Sequence, residues 1–190
     1  MRKWIGLICI FLGVVCLVCS VVFVIYNRWE EKNAEEMAHN IVENVQSIID
    51  EKTTQPDDKE MSTIKVDGYD CIGILSIPVL DLELPVLTDW NYEKLKKAPC
   101  HYYGTYYEKN FVIAAHNYKS HFGRLSQLQA GDVVVFTDVS GVVRYYEVIL
   151  LETLPQQATK EMITSGFDLT LYTCTTGGAS RVTVRCNSKQ

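Results

Sequence analysis

The sequence predicts an all-β domain, a sandwich or closed barrel with short helices, carried behind one apolar helix and a membrane-proximal helix. Three observations lead there. Beyond Gly68 the chain is a succession of short β-branched and aromatic runs separated by turn residues. Residues 4–26 contain no charged side chain over 23 positions, and a helix needs about 20 to cross a bilayer. Between these regions, residues 30–51 repeat Met37, Ile41, Val45 and Ile48 at steps of three and four, the period of a helix with one apolar stripe.

At the start, Arg2 and Lys3 of residues 1–3 precede the apolar span, whereas Arg28, Glu30, Glu31 and Lys32 after it cancel. That bias places residues 1–3 in the cytoplasm and the rest of the chain outside the cell, a single-pass topology at the cell membrane. Trp4, Tyr26 and Trp29 suit the two interfaces. The apolar run exceeds the roughly 7–15 residues of a signal-peptide core, and no small-x-small cleavage site follows, so the span at 4–26 is read as a retained transmembrane helix. Residues 27–67 form a membrane-proximal helix and linker. The helical stripe over 30–51 fits a stalk, a helix packed on the domain, or a self-association seam, and 52–67 lacks periodicity and reads as linker. Residues 68–190 form the domain. Its predicted strands are 72–77, 82–86, 111–116, 133–137, 142–151, 169–174 and 181–186, with short helices over 91–97 and 122–128.

A net charge of −5 gives no basic patch for nucleic acid. Of seven cysteines, Cys9, Cys16 and Cys19 fall in the span; Cys71, Cys100, Cys174 and Cys186 lie outside, where disulfides persist. Alternation places Cys174 and Cys186 on opposite faces, against a bond between them, and Cys186 reads as a small core residue. A Cys71–Cys100 pair stays open. No C-x-x-C or H-x-x-x-H pair is present, so no metal and no cofactor is expected.

The chemistry concentrates near the end of the chain. In Thr170-Leu171-Tyr172-Thr173-Cys174, period-2 reading puts Leu169, Leu171 and Thr173 on one face and Thr170, Tyr172 and Cys174 on the other. A six-residue loop leads to a strand in which Arg181, Thr183 and Arg185 alternate with Val182, Val184 and Cys186. A hairpin of the two sets Cys174 opposite Arg181, a thiol beside a guanidinium at a strand end. Arg185 shares the face and reads as a surface arginine. His116 closes an apolar run where a strand meets a loop and is the general acid-base candidate. His121 and His101 are the alternatives, and His39 lies on the membrane-proximal helix, remote from this chemistry.

The TLYTC run with its following Arg, the run Phe111-Val112-Ile113-Ala114-Ala115-His116-Asn117, and the stretch from Gly73-Ile74-Leu75-Ser76-Ile77-Pro78 to Leu84-Pro85-Val86 together resemble sortases, the membrane-anchored cysteine transpeptidases of Gram-positive bacteria. The resemblance covers roughly residues 70–186. It implies an eight-stranded β-barrel, Cys174 as nucleophile, His116 as general acid and base, and Arg181 on the oxyanion or the substrate carbonyls. It also gives Thr173 a part in stabilising the intermediate. Ala114 and Leu171 line the substrate groove or fill the core. Residues 154–167 would shape the pocket for an LPxTG-like sorting signal; their shortness is closer to the class A, D or E types than to class B. Implied partners are secreted proteins bearing that C-terminal signal and a cell-wall peptidoglycan amine. The alternative acceptor is a pilin lysine. Against it, Gln55-Pro56-Asp57-Asp58 does not match the lid motif of the pilin-polymerising, class C enzymes, and no second hydrophobic segment is seen at the C-terminus. From a different class, a membrane-tethered β-domain that binds a partner without catalysis is the remaining reading.

Overall fold

The computed structural model describes residues 2–51 and 60–189. The chain divides into two compact units, Met1–Asn33 and Ala34–Gln190. Helix α1 (Arg2–Glu51) supplies the described residues of the first and the opening of the second. In the first unit, Leu7, Phe11, Leu17 and Phe23 each leave more than three-fifths of their surface uncovered. A helix that is apolar all round and covered by no protein suits lipid, and this one is long and apolar enough to cross a membrane. The first half of the expected linker, including Gln55-Pro56-Asp57-Asp58, lies outside the described residues.

In the second unit, Ala34, Ala38, Ile41, Val42, Val45 and Ile49 of α1 are buried, a stripe at helical spacing. It packs on Ile64, Ile74, Leu87 and Val139. Of the three roles open to this segment, a helix laid on the domain is the one observed.

The strands are β1 (Ile64–Val66), β2 (Tyr69–Ile77), β3 (Leu82–Leu87), β4 (Cys100–Tyr103), β5 (Phe111–Ala114), β6 (Val133–Asp138), β7 (Val143–Pro155), β8 (Leu169–Cys174) and β9 (Ser180–Ser188). They follow the order β1-β2-β3-β4-β5-β8-β9-β7-β6, and β6 returns to pair with β2. Strands β2 to β9 therefore close an eight-stranded barrel, and β1 adds a short hairpin outside it. Closure removes the open edges on which a sheet would otherwise pair with other chains. Gly73 sits on the closing seam, where a Cβ would come within 2.2 Å of the Thr137 carbonyl oxygen; no side chain fits there. Phe111, Ile113, Phe136, Leu169, Leu171 and Val184 fill the interior.

Two strands escape the pattern. β1 comes from the stretch read as linker, and three residues are too few for alternation to register. β4 meets β3 at a single register position, with a bulge against β5. The run expected to be a strand to His116 ends two residues earlier, at Ala114. The short helices are α2 (Tyr92–Leu95), whose first turn is capped by the Asn91 side chain accepting from the Lys94 N–H, and α3 (Thr159–Ile163), with a 3₁₀ turn at Leu125–Gln127.

Candidate active site

Three neighbouring strands end at one rim of the barrel. β5 runs parallel to β8, pairing Ala114 with Tyr172, and β8 runs antiparallel to β9, pairing Cys174 with Arg181. Beyond the last strand residue the tie continues: Ala115 N–H donates to the Tyr172 carbonyl at 3.2 Å, and Thr173 Oγ1 donates to the Ala115 carbonyl at 2.9 Å. The next residue of each strand is His116 on one and Cys174 on the other. The parallel pairing of segments more than fifty residues apart thus brings His116, Cys174 and Arg181 to adjacent strand ends.

Cys174 is the exposed one among the four cysteines outside the apolar segment. Cys71, Cys100 and Cys186 are buried free thiols, and burial pushes each up to about 12. Those three cannot supply a thiolate near neutral pH, whereas Cys174 meets solvent at a strand terminus.

His116 is half-buried and stacks on Tyr118, with ring centroids 4.2 Å apart and planes 10° from parallel. Two groups of Asn117 meet its Nδ1, the backbone N–H and the side-chain oxygen Oδ1, each at 2.9 Å, so Nδ1 is engaged within its own loop. The loop carrying the ring folds back through Phe122 N–H to the His116 carbonyl and Gly123 N–H to the Tyr118 carbonyl. A Cβ on Gly123 would lie 2.4 Å from the Asn117 carbonyl oxygen, so this loop closes only over glycine.

Arg181 spends one nitrogen on its own loop: Nη1 donates to the carbonyls of Gly178 at 2.9 Å and Ser180 at 3.0 Å. Its Nε and Nη2 have no partner among the described residues, leaving donors beside Cys174 in a fixed fork.

Cys174 lies where two depressions meet. The first is a groove floored by Ala114, Ala115 and Tyr172, with Cys174 and Arg181 on it. One wall is aromatic: Trp90 lies 5.4 Å from Tyr102 and 6.2 Å from Tyr92, and Tyr102 lies 5.3 Å from Tyr172. The other wall is the β7–β8 connection, including Pro155, Thr159 and Met162. The second depression lies towards the His116 loop. An accessible thiol beside a guanidinium where an aromatic-walled groove meets a second hollow, with an imidazole just beyond the neighbouring strand end, can form and resolve an acyl-enzyme.

The sortase-domain family model matches residues 75–189, more than half of the chain. The chain belongs to the sortase family. Its fold is shared with solved sortases. A Clostridium perfringens Sortase D5 transpeptidase aligns with a TM-score of 0.65 at 18% identity, over 82% of this chain and 99% of that one. A Group B Streptococcus Pilus Island 1 Sortase C2 gives 0.57 at 20%, over 80% and 98%. Listeria monocytogenes sortase A gives 0.57 at 19%, over 63% and 88%. A search among curated proteins finds no match. Membership makes this sortase a transpeptidase by family.

The remaining expectations sort by position. Ala114 reaches the groove floor, whereas Leu171 is fully buried in the barrel core. Thr173 is buried, and its hydroxyl is used in tying β8 to β5. His101 turns its ring nitrogens to the carbonyls of Thr88 and Gly104 and is a structural tie. His121 has no exposed surface, no hydrogen bond reaches either ring nitrogen among the described residues, and burial with the nearby His116 holds it down to about 4. The Ala34 backbone beside it offsets little of that burial. His39 lies exposed on α1 beside Glu43. Among the described residues no group of three or more His, Cys, Asp or Glu gathers as a metal site.

Arg185 departs from expectation. It is not a surface arginine: only 2% of it is exposed. Its Nε donates to Glu152 Oε1 at 2.8 Å, Nη1 to Thr170 Oγ1 at 3.0 Å and the Met162 carbonyl at 3.3 Å, and Nη2 to the Glu161 carbonyl at 2.9 Å. The two carbonyls belong to α3, whose other side lines the groove, so Arg185 fastens that wall to the barrel. Alternation assigned the correct face, but the β7–β8 connection covers it, and periodicity carries no information about a covering segment. The aromatic wall was also missed; its one signal was the density of rings in Trp90-Asn91-Tyr92 and Tyr102-Tyr103.

Proposed function

We propose that this sortase cleaves an LPxTG-like C-terminal sorting signal through a Cys174 thioester and passes the protein to an amine of the cell wall. The observation that carries the reading is Cys174, exposed and paired in register with Arg181, at the rim where the His116 strand also ends. The Cys174 thiolate attacks the scissile carbonyl, and the Arg181 fork stabilises the charge that develops on oxygen. His116 protonates the departing amine from Nε2; the same nitrogen then takes the proton of the incoming amine. The aromatic groove receives the apolar part of the signal and shields the thioester from water.

The charge bias around residues 4–26 supports a cytoplasmic N-terminus and a domain outside the cell, where sorting signals and wall amines are met. The test is intact-mass spectrometry of the full chain in detergent with a panel of LPxTG-like peptides, in the native protein and in Cys174→Ala. A mass gain equal to the acyl fragment, absent from the variant, is the expected result. An adduct that persists in Cys174→Ala rules out the assigned nucleophile. No adduct, with a thiol that alkylates no faster than a buried one, points to a binding domain instead.

A further inference from the structure

Three rings on the loop after β5 pack together, and Tyr118 links the other two. His116 stacks on it face to face, with centroids 4.2 Å apart and planes 10° from parallel, and His121 packs on it at 5.5 Å and 53°. His121 has no exposed surface and lies beside the α1 backbone at Ala34. The next residue, Phe122, is fully buried in the core cluster that also holds Ala38 of α1. Through Tyr118, the half-buried His116 therefore leans on a neighbour held between the barrel and α1.

His116 is thus restrained in two ways. The contacts of Asn117 at Nδ1 act within the plane of the ring, and the Tyr118 stack acts across it. A proton carrier must keep its nitrogen aimed at the reacting atom, and small misplacements lose rate steeply. The face of a tyrosine ring is also the negative part of its quadrupole and favours a cation placed over it. We propose that Tyr118 is a positioning residue of this sortase: its ring holds the His116 imidazole for proton transfer and supports the imidazolium form, and His121 holds Tyr118 in place.

The turns of this loop are held by main-chain bonds. The backbone N–H groups of His121 and Gly123 donate to the Tyr118 carbonyl at 3.0 and 2.8 Å, and that of Phe122 to the His116 carbonyl at 3.2 Å. A change of the Tyr118 side chain leaves these bonds in place, so its ring can be altered without undoing the loop. His121 suits a passive part. Burial, with the nearby His116, holds it down to about 4, so near neutral pH it sets no second positive charge close to an imidazolium.

The inference rests on the proposed Cys174 thioester with His116 as its proton carrier, and two acyl donors separate the failures. With a sorting peptide, the Cys174 sulfur bonds to the scissile carbonyl carbon, the carbon–nitrogen bond breaks, and the leaving nitrogen takes a proton from His116. With the same acyl half carried as a methyl thioester, methanethiolate leaves with its electron pair and needs no proton from His116. Single-turnover acylation of the full chain in detergent is followed by intact mass for each donor. Tyr118→Leu should slow the peptide reaction at saturation by about three- to tenfold, the worth of one aromatic stack. The half-saturating peptide concentration and the thioester rate should stay unchanged. Tyr118→Phe, which keeps the ring, should match the native protein with both donors. No adduct from either donor in the native protein defeats the thioester reading, and this proposal with it. Given the native adduct, three results would each overturn the role of Tyr118 alone: an unslowed peptide reaction in Tyr118→Leu, an equal loss with both donors in that variant when folded, or a Tyr118→Phe protein slower than the native one with the peptide.

Discussion

Replacing Arg185 with methionine tests how the groove wall is held. The substitution keeps much of the side-chain volume and deletes the guanidinium that makes four hydrogen bonds. Left behind are the Glu152 carboxylate, the Thr170 hydroxyl and two carbonyls at the end of α3. Breaking a buried ion pair by removing one partner costs about 3–5 kcal/mol. Glu152 keeps 31% of its side chain exposed, so its orphaned charge reaches water and the cost falls at the lower end, about 3 kcal/mol. Urea unfolding of the full chain in detergent should register that loss. The wall effect is separate: with α3 unfastened, KM for a sorting peptide should rise while the alkylation rate of Cys174 holds, because Cys174 is set by the β8–β9 register. A variant within about 0.5 kcal/mol of the native protein would refute the buried network, since even one lost hydrogen bond to a charged group is worth more. A large stability loss with an unmoved KM would refute the link between Arg185 and the groove.

Thr173→Val removes the one hydroxyl seen on the Ala115 carbonyl and should cost about 1–3 kcal/mol in urea unfolding, with a slower acylation rate as the His116 strand end loosens. Thiol alkylation near pH 8 should label Cys174 and spare Cys71, Cys100 and Cys186, which burial holds near 12; peptide mapping after urea should then find all four labelled. For His121 the folded value, about 4, lies below the unfolded value of about 6.5. The unfolded chain therefore binds a proton that the folded one refuses. Stability from this group is complete above about pH 6.5 and declines as pH falls towards 4, by up to about 3 kcal/mol. Urea unfolding across that window should show the decline, and His121→Leu should flatten it. Ile41→Ala, at a position with no exposed surface, should destabilise the second unit by about 2–5 kcal/mol; a loss under 1 kcal/mol would mean that α1 does not pack on the barrel in solution.

Much of the candidate site is legible in the chain because its key contact is local. Cys174 and Arg181 are joined by one hairpin, and period 2 alone sets them face to face. His116 is different. Nothing in the spacing of residues 111–116 says that this strand lies parallel to β8; family resemblance supplied the role of His116, and the pairing comes from the structure. The roles of His101, His121 and Arg185 were beyond reach for a common reason. Each is decided by which carbonyls, rings or carboxylates surround it, and those come from segments far along the chain.

The sequence by itself determined the apolar span, the strand-rich character after Gly68, the facing of Cys174 and Arg181, and membership of a cysteine transpeptidase family. These properties follow from local periodicity and short motifs, which are carried by neighbours in the chain. The tertiary structure alone decided that β6 returns to β2 to close the barrel, that α1 lies on it, and that a buried arginine fastens the groove wall. It also decided that Cys174 stands between an aromatic-walled groove and a second hollow towards the His116 loop. Those features depend on contacts between residues distant in sequence, where burial and shape arise only once the chain has closed on itself.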